Sequence, residues 1–224
     1  MFKKNKFNKL NASYNTHIYK GINGVVMRYC HRNLESFKGK EKYDKVLEIG
    51  AGTASHIDYI KHKYDKFFIV ETSKEAFEHY KNDNRVIVKL YDGIKLPFED
   101  NFFDRIIISH VLEHINDPEN FLFEIMSKLK EGGLVSISLP TDPGLLWRVG
   151  KLFTKYFTAK RTYKISSNEY DYLMATEHIN SIFNLISLIR YNFKNQINEN
   201  FIPFKIKSAD FNLFYNVHIT KSNN

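Results

Sequence analysis

The sequence is poor in residues that mark disulfide-bonded, metal-clustered or membrane-spanning proteins. Cys30 is its single cysteine, which excludes a disulfide within the chain and a cysteine-rich metal site. No apolar run approaches the length of a membrane-spanning helix, and the basic residues 1–6 lead into no apolar stretch of signal-peptide length. Internal repeats and low-complexity linkers are also absent. We therefore expect a cytoplasmic enzyme.

Acidic residues are outnumbered by basic ones. The chain has 33 Lys and Arg against 25 Asp and Glu, a formal charge of +8. Such a charge suits an anionic partner, which leaves nucleic acid, a phosphorylated substrate and a membrane face open. A general bias towards Lys and Asn is an equally simple explanation. With 224 residues, 43% of them apolar, the chain can bury one sizeable core, so we expect a single domain with insertions.

Strand-like apolar segments alternate with helical patterns along the chain. This alternation indicates an α/β fold, in which crossover helices connect the strands of a parallel sheet. The last apolar run, from Phe211 to Thr220, reads as a final antiparallel strand that pairs with one near 193–197. The sequence thus predicts a mainly parallel, seven-stranded sheet with helices on both faces. Its first five strands are placed at 45–50, 66–70, 85–90, 104–109 and 134–139.

Helices are indicated by their end signals and by apolar periodicity. A threonine followed three residues later by a glutamate reads as a capping box, and Asp-Pro reads as an N-cap with proline in the first turn. A glycine pair is a frequent helix stop. The helices predicted in this way run from Thr72 and Glu75 through Tyr80, from Asp117-Pro118 to Gly132-Gly133, and from His178 to Tyr191.

The stretch 46–53 reads as a short buried strand that turns at two glycines and then begins a helix. Gly50 and Gly52 allow the backbone to turn tightly and to approach a ligand more closely than a Cβ would permit. A dinucleotide-binding pattern needs a third glycine that this chain lacks. Glu48 suits a ligand with an ammonium or sulfonium group, and Glu71, at the end of the next apolar segment, suits two ribose hydroxyls. These features together predict S-adenosylmethionine.

The sequence from Lys45 to Pro140 resembles the class I S-adenosylmethionine-dependent methyltransferases. That resemblance implies a Rossmann-like fold in a single domain, 1–224, with an N-terminal helical cap at 11–38, a cofactor-binding core at 45–140 and a substrate lid inserted at 141–177. It is carried, in order, by Glu48-Ile49-Gly50-Ala51-Gly52, Val70-Glu71-Thr72-Ser73, Tyr91-Asp92-Gly93, Leu96-Pro97-Phe98, Phe102-Phe103-Asp104, His110-Val111-Leu112-Glu113-His114, Asp117-Pro118 and Lys130-Glu131-Gly132-Gly133.

The resemblance also assigns residues to the cofactor site. They lie in the glycine turn, at the end of the second strand, in the loop expected to contact adenine, and at the end of the fourth strand. The predicted cofactor-binding residues are Glu48, Gly50, Ala51, Gly52, Thr53, Glu71, Thr72, Ser73, Asp92, Gly93, Ile94, Ser109 and His110.

Candidate catalytic residues surround the expected position of the transferred methyl group. His110 lies just past the end of the fourth strand, where it can act as a neutral base towards a hydroxyl or as a cationic clamp on a phosphoryl oxygen. A phosphoryl oxygen is already negatively charged and needs only to be held. Further candidates are Tyr14 and His17 in the cap, and Tyr172 and His178 beside the lid.

The segment His110-x-x-Glu113-His114 also matches the H-x-x-E-H pattern of a zinc peptidase family. Such a site needs both histidines and the glutamate on one continuous helix, with a distant further ligand. Here the segment follows the apolar strand 105–109 directly, and Pro118 comes soon after. We therefore expect no metal. His114 and Glu113 are then capping or pairing residues of the scaffold.

A second, narrower resemblance concerns the acceptor. The chain resembles methyltransferases from bacterial surface-polysaccharide gene clusters, and among them those associated with the O-methyl phosphoramidate decoration of capsules. This implies a small anionic acceptor, a phosphoramidate group or its nucleotide-linked precursor. The resemblance is carried by Leu139-Pro140-Thr141-Asp142-Pro143-Gly144-Leu145-Leu146-Trp147-Arg148, Tyr170-Asp171-Tyr172-Leu173-Met174-Ala175, Glu177-His178-Ile179-Asn180-Ser181 and Asn212-Leu213-Phe214-Tyr215.

Other acceptors and functions stay open. A sugar hydroxyl of a surface glycan is the nearest competitor, followed by nucleic acid and by a regulatory module that binds the cofactor without turnover. No RNA-binding appendage and no Asn/Asp-Pro-Pro-Tyr sequence is visible, so nucleic acid is not the expected partner. The basic and aromatic lid could hold an anionic substrate or contact an acidic membrane surface peripherally, or simply be a solvated face. The oligomeric state is left open.

Overall fold

The computed structural model describes residues 21–52, 56–72 and 83–222. Seven strands form one sheet in the order β3-β2-β1-β4-β5-β7-β6. The strands β1 to β5 are parallel, whereas β7 pairs antiparallel with both β5 and β6. The prediction of a mainly parallel sheet with an antiparallel end is confirmed. The strands span Lys42–Ile49 (β1), Lys63–Glu71 (β2), Val86–Leu90 (β3), Phe103–Ser109 (β4), Leu129–Pro140 (β5), Ile197–Ile202 (β6) and Phe214–Thr220 (β7).

Helices and short helical turns connect these strands. Within the described ranges, no helix is long and apolar enough to cross a bilayer. The α-helices are Gly21–Leu34 (α1), Pro118–Lys128 (α2), Leu145–Phe153 (α3), Ser167–Glu177 (α4) and Ile182–Asn192 (α5), with 3-10 turns at His56–Tyr59 and Leu112–His114 and a π-helical segment at Thr154–Tyr163.

The central strands each contain a buried apolar run because both faces of the sheet are covered. Along β4, Ile106 and Ile108 face one core while Ile107 faces the other, as the alternation of side chains along a strand requires. The larger core also contains side chains of α2 and α5, and the smaller one contains Leu34 of α1. This packing holds the carboxyl ends of β1, β2 and β4 at one edge of the sheet.

The predicted end of the second helix is wrong. Helix α2 begins as expected, with the Asp117 side chain accepting from Asn120 N, but it ends at Lys128 and β5 begins at Leu129. Gly132, with φ +67°, lies inside that strand. The partner of β4 shifts there from Leu129 to Leu134, so the glycines accommodate a bulge instead of stopping a helix.

The predicted helix from His178 to Tyr191 starts later than expected. Helix α4 ends at Glu177, and α5 begins at Ile182 after the N-cap Ser181. His178 therefore lies between two helices. Between them, the amide of Asn180 donates to the carbonyl oxygens of Leu112 and Ile115 and ties this break to the turn after β4.

The two regions outside the predicted cofactor core are helical where the structure describes them. The part of the cap from residue 21 onwards contains α1, which packs against β5, with Cys30 Sγ 2.9 Å from Ser138 Oγ. The insertion 141–177 contains α3, the π-helical segment and α4. Residues 11–20, and the helix predicted through Glu75 to Tyr80, lie outside the described residues.

Candidate active site

The glycine turn after β1 has the backbone conformation that its sequence predicts. Gly50 and Gly52 have φ angles of +71° and +56°, which side-chain-bearing residues rarely adopt. A Cβ on Gly50 would lie 2.5 Å from Cγ2 of Val111, whereas a Cβ on Gly52 would meet none of the described residues within 4 Å. Gly50 is thus needed for packing and Gly52 leaves open space beside the turn. Ala51, between them, is buried.

The two predicted acidic anchors flank this turn. Glu71 Oε1 accepts a hydrogen bond from Gly52 N at 2.6 Å, and its Oε2 accepts from Thr72 N at 3.1 Å. Glu48 is buried, and its Oε1 accepts from His56 N at 2.7 Å. Both carboxylates therefore hold the backbone around the turn.

The loop after β3 presents the predicted adenine contacts to solvent. Asp92 Oδ1 accepts from Ile94 N at 2.8 Å, and such backbone hydrogen bonds lower the pKa of Asp92. Gly93 turns the chain with φ +80°, and the Ile94 side chain is 79% exposed. An exposed apolar side chain beside a turn is available to a flat apolar ligand. Thr53 and Ser73 lie outside the described residues.

His110 follows β4 and bends the chain away from the sheet. Its φ is +57°, and its backbone N donates to Ser138 O at 3.0 Å. The ring nitrogens lie 3.6 Å from Cys30 Sγ and 3.7 Å from Glu113 Oε1. Burial alone would lower the pKa of His110, but these two contacts outweigh it and raise the pKa to about 10. The imidazole is therefore a cation at neutral pH.

Cys30 and Glu113 are site residues that sequence analysis did not place here. Ser138 Oγ donates to Asn216 Oδ1 at 2.6 Å and also lies 2.9 Å from Cys30 Sγ. The carboxylate of Glu113 is the acidic partner of His110 in the turn after β4. No spacing signal could have found Cys30, since it lies 80 positions from His110.

A second polar group lies between the insertion and the strands. Asp142 Oδ2 accepts from His178 Nδ1 at 2.8 Å and from Lys151 Nζ at 3.1 Å. Burial would raise the pKa of Asp142, but the hydrogen bond from His178 and the charge of Lys151 lower it. These three side chains line a cavity of about 370 Å³ together with residues of α4. The cavity is thus lined by two carboxylates, those of Asp142 and Asp171, and by two basic side chains, those of Lys151 and His178.

The remaining predicted site residues, the catalytic candidates and Ser109 of the cofactor-binding set, lie in different parts of the structure. His178 lines this cavity, and its ring stacks near Trp147 with the centroids 6.4 Å apart. Tyr172 lies on α4 and is 49% exposed, outside the set of side chains that line the cavity. The Ser109 hydroxyl is buried at the end of β4 without a hydrogen-bond partner among the described residues. Tyr14 and His17 lie outside the described residues.

The turn fits an adenosyl ligand. The space beside Gly52 is where a Cβ would otherwise project, so a ligand can touch the backbone there. Glu71 ends β2 directly beside this space, and its oxygens can each accept more than one hydrogen bond. The buried, unpaired hydroxyl of Ser109 and the cation of His110 lie at the neighbouring strand end.

Comparison with known families bears directly on this site. Residues 47–137 match the model of a methyltransferase domain. This stretch of the chain is thus a methyltransferase domain. The match spans β1 through most of β5, including the glycine turn, Glu71 and His110. The sequence-based prediction of an S-adenosylmethionine-dependent methyltransferase is thereby confirmed for the domain.

Curated relatives of the methyltransferase domain include the demethylmenaquinone methyltransferase of Corynebacterium glutamicum. It is 29% identical over 140 residues, which are 61% of this chain and 60% of that protein. The chain therefore spans about 60% of the length of the first curated relatives it matches.

Solved structures share the fold of the methyltransferase domain at low identity. The plantazolicin methyltransferase, in complex with a substrate analogue and S-adenosylhomocysteine, has a TM-score of 0.64 at 14% identity and covers 99% of this chain and 91% of its own. Phosphoethanolamine N-methyltransferase 2 of Haemonchus contortus, with phosphomonomethylethanolamine and S-adenosylhomocysteine, has a TM-score of 0.59 at 16% identity, over 88% of this chain and 53% of its own. These likenesses confirm the predicted fold. Both of these neighbours bind the demethylated form of S-adenosylmethionine, and the family match of residues 47–137 supports S-adenosylmethionine as the cofactor.

Proposed function

We propose that this protein transfers the methyl group of S-adenosylmethionine to a small anionic acceptor, a phosphoramidate oxygen or its nucleotide-linked precursor in surface-polysaccharide synthesis. The observation that carries the proposal is the position of His110, a cationic imidazole held at the end of β4 by Glu113. A fixed cation at this strand end suits an acceptor oxygen that already carries negative charge. A hydroxyl acceptor would instead need a neutral base.

The charge of the neighbouring cavity supports the same acceptor class. Lys151 and His178 both contact the carboxylate of Asp142, and Asp171 also lines the cavity. Further basic side chains, those of Arg148, Lys155, Lys160 and Arg161, lie on the continuous stretch of α3 and the π-helical segment. The basic side chains of this stretch would attract an anion towards the cavity.

The chain's own residues would align the reactants and exclude water. When bound, S-adenosylmethionine supplies an electrophilic methyl group to in-line attack by the acceptor oxygen. The glycine turn and Glu71 would fix one side of the reaction, and His110 would hold the acceptor on the other. Such alignment accounts for much of the rate enhancement in displacements of this kind.

The pH dependence of the rate distinguishes two roles of His110, a cation that holds the acceptor and a neutral base that removes its proton. If His110 acts as a cation, turnover of a phosphoramidate should stay level up to pH 9 and fall as the pH rises through about 10. A neutral base would give a rate that increases with pH near 6 to 7, the ordinary range of imidazole. The measurement is a profile of kcat/KM with labelled cofactor, and His110→Gln should abolish the limb at high pH. A rising limb near neutrality would contradict the clamp.

A panel of acceptors tests the acceptor class. Phosphoramidates and nucleotide-linked phosphoramidates should be methylated, whereas neutral sugars should be methylated far more slowly. Duplex DNA and RNA serve as controls for the general positive charge. If a neutral sugar is methylated faster than every phosphoramidate, the acceptor is a glycan hydroxyl and the proposal is wrong. Cofactor binding without any product would favour a regulatory module.

A quinone-derived acceptor is a second candidate. The names of the curated relatives point to it, since the Corynebacterium protein is a demethylmenaquinone methyltransferase. Helix α3 favours it too, because Leu145, Val149 and Leu152 are about half exposed there and offer an apolar surface beside the cavity. Demethylmenaquinone in detergent belongs in the acceptor panel, and preferential methylation of it would replace the phosphoramidate.

We also propose that this apolar surface allows the protein to contact an anionic membrane from the cytoplasmic side. Phe153 and Phe157 continue it, with ring centroids 5.0 Å apart and both rings largely exposed. Aromatic side chains flanked by lysines and arginines are typical of helices that lie at a lipid headgroup boundary.

A further inference from the structure

Beside His110, three side chains that can each offer a metal ligand lie close together. Glu113 and His114 lie on the 3-10 turn after β4, and His178 lies between α4 and α5. One ligand atom from each of them lies within 4.8 Å of the others. We propose that Glu113, His114 and His178 bind a divalent transition-metal ion, with Zn²⁺ the preferred ion.

Both histidines are oriented as metal ligands are. His114 Nδ1 lies 2.6 Å from the carbonyl oxygen of Glu177, and His178 Nδ1 lies 2.8 Å from Asp142 Oδ2. Because a carbonyl or carboxylate oxygen only accepts, each Nδ1 carries the proton and each Nε2 keeps its lone pair. Histidines that ligate zinc are held in this way, with the other ring nitrogen donating to a carboxylate or a carbonyl.

Glu113 supplies the independent observation. Its side chain is 3% exposed, and Oε2 has no hydrogen-bond partner among the described residues. A buried carboxylate oxygen without a partner is costly, so such an atom calls for a ligand.

The donor set selects the ion. Two imidazoles and one carboxylate form a known catalytic zinc set that leaves a position open, and they also suit ferrous iron. Ligand atoms around zinc lie about 3.3 Å apart, whereas those of the cluster lie within 4.8 Å of one another, so the side chains must close by up to about 1.5 Å. His114, whose side chain is 33% exposed, has room for this movement.

The metal site also refines the sequence-based view of the H-x-x-E-H segment. The peptidase arrangement is not formed, because His110 lies outside the three-residue cluster and its ring contacts Cys30 Sγ and Glu113 Oε1. The third ligand comes from His178, 64 positions beyond His114 in the sequence. The proposal departs from the expectation that the chain holds no metal, and it does not depend on the identity of the methyl acceptor.

Metal titration tests the site without reference to activity. The tag-free full chain, stripped with EDTA, should bind one equivalent of ZnCl₂ in calorimetry. CoCl₂ should give the visible absorption bands of a four- or five-coordinate nitrogen and oxygen site. His178→Ala should weaken Zn²⁺ binding by at least 100-fold. The matched control is His62→Ala, which removes a histidine that contacts Lys63 O, away from the cluster.

A further variant keeps the test decisive if His178→Ala does not fold. Asp142→Asn leaves all three ligands in place but removes the carboxylate that orients His178, and should weaken binding by 10- to 100-fold. Equal Zn²⁺ affinity in the wild type and in either folded variant would overturn the proposal, as would an absence of stoichiometric Zn²⁺ and Co²⁺ binding. Metal binding is measured independently of methyl transfer. The result therefore stays valid even if none of the tested acceptors is methylated.

Discussion

Glu71 fastens the glycine turn to the end of β2, with 2.6 Å between its Oε1 and the backbone nitrogen of Gly52. This hydrogen bond couples the two strand ends that face the cofactor. A charge-assisted hydrogen bond to a backbone amide is stronger than a neutral one, so the carboxylate also stiffens the turn. Glu71 thus has a structural task in addition to the ribose contact predicted from sequence.

Replacing Glu71 by alanine should weaken S-adenosylmethionine binding by more than tenfold. The loss of charge-assisted hydrogen bonds to the ribose and to the turn accounts for a change of roughly 1.5–3 kcal/mol. Calorimetric titration measures it, and Glu99→Ala, an exposed glutamate before β4, is the control. Unchanged affinity would mean that the carboxylate contacts no part of the cofactor.

Gly52→Ala should affect cofactor binding far more than folding. Its φ of +56° makes any Cβ strained by about 1–2 kcal/mol, yet nothing within 4 Å would be displaced. Gly132→Ala is a matched control, because Gly132 has a φ of +67° and equally open surroundings in the β5 bulge.

Both substitutions should lower the free energy of unfolding by similar amounts, as measured in urea titrations. Only Gly52→Ala should lose cofactor affinity, by tenfold or more, since its Cβ occupies the ligand side of the turn. Equal affinity in the two variants would place the cofactor away from Gly52.

The sheet and the glycine turn were predictable because their signals are local. Apolar runs of strand length and a Gly-x-Gly after a buried strand place β1 and its turn within a few residues. The pair Gly132-Gly133 was misread because glycine stops a helix and allows a strand bulge equally well. The contacts of Cys30 with His110 and of Asp142 with His178 bridge 80 and 36 positions, so only the folded chain brings them together.

Phe153→Ser with Phe157→Ser should reduce membrane binding. Both rings are largely exposed on the surface of α3 and the π-helical segment, so their loss removes apolar area without opening a core. Sedimentation with phosphatidylglycerol vesicles measures binding, which should weaken at least tenfold and also fall with added salt. Tyr191→Ser is the control, because Tyr191 is an 85% exposed aromatic residue on α5. Equal sedimentation of the wild type, the double variant and Tyr191→Ser would show that α3 and the π-helical segment do not contact the membrane.

His218→Gln should make the stability of the fold less sensitive to acid. His218 lies on β7, where Nδ1 is 3.1 Å from Ser136 Oγ and the ring stacks on Phe37 with centroids 4.1 Å apart. Burial, and next the charge of Arg105, lower the pKa of His218 to about 3. Between that value and the ordinary 6.5, the unfolded chain binds a proton that the folded chain does not, so stability decreases as the pH falls through this window.

For one such histidine, the free energy of unfolding is expected to change by at most about 1.4 kcal/mol per pH unit. Glutamine can still form a hydrogen bond with Ser136 but does not titrate. Between pH 4 and 6, the difference in bound protons between the unfolded and folded chains should therefore be smaller by about one in the variant. The pH dependence that remains in the variant should come from His31, whose pKa is lowered by burial to about 2. Urea unfolding at several pH values measures the slope, which is independent of any constant stability offset caused by the substitution. A slope identical to that of the wild type would show that His218 is already protonated in the folded protein.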